Sequence, residues 1–102
     1  MNALEENRKI IDEVDTELCR LFQKRFAAVE EIMWYKLENG MQVLDSSREA
    51  QLIARRQQEV PQNLQPYFRE FYEALLASSR HYQKDRMEEE ERKTSDSFPS
   101  EE

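Results

Sequence analysis

A single glycine, Gly40, and three prolines leave the 102-residue chain few places to turn. With 36% charged residues, that composition fits long helices and little else, and an all-α fold is expected. Cysteine is equally scarce: Cys19 stands alone, which excludes an internal disulfide and leaves a structural thiol. Histidine occurs once, as His81, so the chain offers no convincing nucleophile–base pair and no metal-binding cluster, and no metal is expected. No apolar run approaches the roughly 18 residues of a membrane-crossing helix, and no signal-peptide apolar region opens the chain, so a soluble cytoplasmic protein is expected. Positive charge is the minority: 15 Lys and Arg face 22 Asp and Glu, for a formal net charge of -7. The whole-protein field repels polyanions, which argues against nucleic acid or an anionic membrane as partner and means that any cationic site must be local.

What the chain does have is one unbroken helical pattern from Leu4 to Asn39. Steps of seven from Leu4 reach Ile11, Leu18, Arg25 and Ile32, and Arg8, Val14, Leu21, Phe22, Ala28, Val29, Tyr35 and Lys36 fall between, a coiled-coil-like seam. The cation Arg25 interrupts its middle, where desolvation costs several kcal/mol unless an anion meets it. A helix of this span is about 54 Å long, whereas a compact chain of this size has a radius of gyration of about 13 Å. The chain cannot cover its own seam. A second copy in an antiparallel arrangement can, so an intertwined helical homodimer is expected.

Asn39-Gly40 ends this first helix, and Met41 to Leu44 form an extended link. A second helix opens at Asp45-Ser46-Ser47-Arg48-Glu49, with Ser46 and Glu49 spaced as a capping box, and runs to about Glu59. After Val60-Pro61, Pro66 suits the first position of a third helix, which carries Phe68, Phe71, Tyr72, Leu75 and Leu76 and then turns polar at Ser79 and Gln83 on one face. Beyond Lys84 the run of acids and the Ser-rich end read as a fraying helix and a disordered tail, dividing the chain into a helical domain, 1–84, and an acidic tail, 85–102.

Each helix therefore sets polar groups where its stripe calls for apolar ones: Arg8, Arg25 and Lys36 on the first, Asp45, Arg48 and Glu49 at the start of the second, Ser79 and Gln83 on the third. Several cations, a carboxylate and an amide make the lining expected for a small polyanion that carries a hydroxyl. Arg8 and Arg25 are separated by about 25 Å along one helix and cannot grip one small ligand from the same chain. An antiparallel dimer brings Arg8 of one copy near Arg25 of the other.

These residues as a set resemble the small all-helical class of chorismate mutases, over roughly residues 4–84. The matching pieces are Arg8-Lys9-Ile10-Ile11 with Asp15, Lys24-Arg25, Tyr35-Lys36 with Asn39-Gly40, Val43 and Asp45 with Arg48-Glu49, and Ser79 with Gln83. The resemblance implies an isomerase that rearranges chorismate to prephenate, toward phenylalanine and tyrosine, without a cofactor. It implies that Arg25 and, in trans, Arg8 hold the two carboxylates of the substrate, that Lys36 and Gln83 donate to the ether oxygen of the breaking bond, and that Glu49 takes the ring hydroxyl. Asp45, Arg48 and Ser79 would complete the binding shell. Arg80 departs from the family pattern, in which an apolar residue usually follows the serine. An isochorismate-pyruvate lyase on the same fold and a non-catalytic helical dimerisation module are the alternatives.

Overall fold

Asn2 starts the first helix: its side-chain oxygen accepts the N–H of Glu5 at 2.9 Å, satisfying one of the amides that a helix start leaves without a partner. The computed structural model describes residues 2–97. Over them the backbone forms α1 (Ala3–Glu38), α2 (Ser46–Gln57), one 3-10 turn (Gln62–Leu64) and α3 (Gln65–Ser97), with no strand among the described residues. The fold is all-α with a very long first helix, as expected. No helix among the described residues is long and apolar enough to cross a membrane.

The helix ends follow local chemistry. Gly40, at φ 63, occupies the left-handed region that glycine enters without steric penalty. There its N–H reaches Leu37 O at 3.4 Å while Met41 N–H reaches Lys36 O at 2.8 Å, the paired bonds of a Schellman stop. The start of α2 corrects the expected capping box. Asp45, one residue before Ser46, accepts the N–H of Arg48 at 3.0 Å, so its short carboxylate takes the capping role and leaves the Glu49 side chain free for another partner.

Both α1 and α2 lean on α3, while their own backbones stay apart. Phe22 stacks on Phe26 at 4.3 Å and Phe26 meets Tyr82 edge-on at 5.2 Å, which ties α1 to α3. The core is small: among the described residues its buried apolar members are Val29 and Met33 of α1 and Tyr72 and Leu76 of α3. Met33 is fully buried although it lies off the seam read from the sequence. In the N-terminal part of that seam Leu4, Ile11 and Val14 stay more than half exposed, while Leu18 borders an apolar groove with Phe71, Ala74 and Leu75 of α3.

The expectation that the third helix frays after Lys84 is corrected. α3 continues to Ser97, because Arg86 anchors it: Nε donates to Glu30 Oε1 of α1 at 3.0 Å, and the guanidinium sits 5.8 Å from the centre of the Trp34 ring. Arg86 also bonds Glu89 at 3.0 Å and Glu90 at 3.3 Å, while Lys93 lies 3.6 Å from Glu89 and 3.4 Å from Glu90. Opposite charges three and four residues apart stabilise a helix, so the charge run supports α3 here. Residues 98–102, the end of the expected tail, lie outside the described residues.

Candidate active site

Each helix contributes one face to a single cavity of about 370 Å³. α1 contributes Arg25, Val29, Ile32 and Lys36, and α3 contributes Leu76, Ser79, Arg80 and Gln83, both sets at helical spacing. The first turn of α2 adds Asp45, Arg48, Glu49 and Leu52. The volume falls within the roughly 300–1,000 Å³ usual for small-molecule sites. Seven of the eight residues expected from the sequence therefore line one cavity. The eighth, Arg8, does not: it is exposed near the far end of α1, where nothing in its own chain could carry it back.

Arg25 is half-buried, and its Nη1 donates to Ser79 Oγ at 2.6 Å; Ser79 Oγ donates in turn to Leu75 O at 3.0 Å. Among the described residues no carboxylate forms an ion pair with Arg25, so the anion expected to meet it does not come from them. Ser79 is held between a cation and a carbonyl oxygen and orients the guanidinium.

Lys36 Nζ donates to Val43 O at 2.9 Å. The Schellman stop makes this possible, since it folds the link back over the last turn of α1. An ammonium has three hydrogens, so donors remain for a ligand. Gln83, 6% exposed, donates from Nε2 to Ser79 O at 3.3 Å, while its Oε1 is buried without a hydrogen-bond partner. Its second amide hydrogen is uncommitted. A buried amide that is only partly satisfied costs about 1–3 kcal/mol, and such groups concentrate where a ligand completes the bonding.

Asp45 lines the cavity while serving as the α2 cap, so its carboxylate is largely committed to the backbone. Glu49 Oε1 accepts a hydrogen bond from Arg80 Nη1 across the gap between α2 and α3. The sequence reading had Arg80 only as a departure. The missed signal was its spacing, since Leu76, Ser79, Arg80 and Gln83 follow at three, four and seven residues and must share a face. Four cations and two carboxylates thus surround the cavity in a chain of net charge -7. A locally cationic concave site in an acidic protein selects a small anion rather than a polyanion. Among the described residues no group of three or more His, Cys, Asp and Glu could hold a metal.

The family model for chorismate mutase type II matches residues 7–84. The chain belongs to the chorismate mutase type II family. Comparisons with curated proteins and with solved structures gave no match. The family places the chain among the isomerases, with chorismate as substrate and prephenate as product. The matched span contains every residue that lines the cavity and stops one residue after Gln83, whereas α3 continues to Ser97.

Proposed function

We propose that this cavity, completed by Arg8 of a second copy, performs the rearrangement of chorismate to prephenate in phenylalanine and tyrosine biosynthesis. The observation that carries the reading is that Lys36 and Gln83, from opposite helices, border one cavity with Arg25, a half-buried cation that no carboxylate among the described residues neutralises.

The reaction breaks one C–O bond and forms one C–C bond within a single molecule, so the enzyme needs neither an acid–base relay nor a covalent intermediate. It must hold the enolpyruvyl arm over the ring and stabilise negative charge on the departing ether oxygen. Arg25 takes one carboxylate and Arg8 of the second copy the other, which restricts the arm to the reactive conformer. Lys36 Nζ and the free amide hydrogen of Gln83 point their donors at the ether oxygen, where they act more strongly as the bond lengthens. Glu49 accepts the ring hydroxyl. Arg48, whose guanidinium has no partner among the described residues, adds to the cationic lining, and Asp45 and Ser79 fix the geometry around it.

Exposed surface supports the dimer as well as Arg8 does. The chain exposes 8452 Å², about 2,300 Å² more than the ~6,100 Å² of a compact monomer of 12.3 kDa. Two copies covering that excess would bury an area within the ~2,000–5,000 Å² of permanent subunit contacts. Residues 1–84 form the catalytic unit in this reading, and 85–102 an appended segment.

The test follows chorismate by absorbance with the purified protein and identifies the product by NMR. Prephenate is expected. Salicylate with pyruvate would mark a lyase, and unchanged chorismate a module without activity.

A further inference from the structure

Arg80 borders the cavity, yet the rearrangement as described leaves it without a task. From α3 it reaches across to α2 and donates through Nη1 to Glu49 Oε1. The two side chains keep 31% and 20% of their exposure, so both charges are substantially withdrawn from water. A guanidinium–carboxylate bond in that setting is shorter and more directional than one between neutral groups. Glu49 alone would have several rotamers open to it at the head of a short helix; a guanidinium fixed to a different helix removes that freedom. Among the described residues Oε2 of Glu49 has no partner. An ionised carboxylate can only accept, so the ligand group that meets this oxygen must be an O–H or N–H donor.

We propose that Arg80 is a positioning residue that sets the pocket's preference for a hydroxylated ligand: it immobilises Glu49 through Oε1 so that Oε2 meets the ring hydroxyl at a fixed place. The assignment rests on the reading of Glu49 as acceptor of that hydroxyl. A residue that merely staples α2 to α3 would alter stability and the handling of all ligands alike. A positioning residue alters discrimination between ligands that differ in the hydroxyl alone.

The experiment measures kcat/KM of the full-length protein for chorismate and for its 4-deoxy analogue, in which hydrogen replaces the ring hydroxyl. The wild type should favour chorismate about tenfold to a hundredfold, the strength of one hydrogen bond to a charged acceptor. Arg80→Leu should bring that ratio to within about threefold of unity, by loss of most of that bond. Arg80→Lys should keep most of it, and Arg80→Gln, which retains length and a donor but not the charge, should fall between. In the Arg80→Leu background, Glu49→Gln should lower the ratio no further. Should Arg80→Leu fail to fold by circular dichroism, the lysine and glutamine variants carry the comparison. An Arg80→Leu or Arg80→Gln variant that loses both substrates in equal proportion, or keeps the wild-type ratio, would overturn the proposal. A wild type that favours neither substrate would remove Glu49 as the hydroxyl's acceptor and Arg80's role with it, and one that converts neither would overturn the mutase reading itself.

Discussion

Lys36 is fixed at two points by the chain that follows it. Its carbonyl oxygen accepts Met41 N–H at 2.8 Å and its ammonium donates to Val43 O at 2.9 Å, so the link after α1 sets the position of the charge that would face the ether oxygen. Lys36→Ala should lower kcat by a factor of about 10² or more, as loss of an oxyanion donor does elsewhere, with the helical circular dichroism spectrum unchanged. A variant within a few-fold of wild type would remove Lys36 from the reaction. Gln83 makes a different prediction, because a glutamine amide donates at any pH whereas a glutamate donates only when protonated. Gln83→Glu should therefore recover kcat/KM only as pH falls toward the carboxyl range, near 4–5, with circular dichroism confirming that acid has not unfolded it. Identical pH profiles for the two proteins would mean that residue 83 does not contact the reacting oxygen. At this scale the cavity was largely readable in advance, since charged and amide side chains interrupt apolar stripes at helical spacing. The missing partner of Arg25 was not readable. A hydroxyl 54 residues away in sequence, Ser79, occupies it, and only tertiary contact shows that.

Helix α3 shows where a composition signal misleads. Four consecutive acids from Glu88 look like the solvated end of a helix, yet Arg86 and Lys93 stand three and four residues from Glu89 and Glu90, and Arg86 has Glu30 and Trp34 to rest on. The pairing was legible in the spacing; the anchor on α1 was not, because it joins residues 56 apart. Met33 was missed for a related reason: a heptad count from Leu4 follows the face that α1 leaves open, while Met33 lies on the face that α3 covers. The same charges make the end of α3 sensitive to acid. The hydrogen bond from Arg86, with the charge of Lys93, holds the Glu89 carboxyl below the usual glutamate value of 4.5. A depressed folded value means that the stabilisation is present above the unfolded value and is lost as pH falls through the folded one. Carbon-13 Cα shifts across 86–94 should thus stay helical at neutral pH and move toward coil below 4.5 before residues 66–83 do. Simultaneous loss along the whole helix would show that these pairs do not govern its end.

The whole chain is a slender body, 73 × 33 × 16 Å with a radius of gyration of 19.1 Å, well above the ~13 Å of a compact chain of this size. The long α1 contributes to this, its first turns overhanging the start of α3 with Leu4, Ile11 and Val14 exposed. If sites are shared in the proposed dimer, mixing Arg8→Ala with Arg25→Ala should restore part of the activity that each lacks alone. One site of the mixed pair would then have both arginines and the other neither. No recovery, once subunit exchange is shown by mass spectrometry, would count against sharing. The overhang also bears on how the protein is made. A nascent chain completes α1 long before α3 emerges to pack on it, and among the described residues Leu4, Ile11 and Val14 stay more than half exposed. In the proposed dimer, encounter with another molecule is then a step of folding itself. After dilution from denaturant, the final recovery of structure should follow second-order kinetics, its half-time shortening in inverse proportion to protein concentration; a rate independent of concentration would mean that the overhang needs no second molecule.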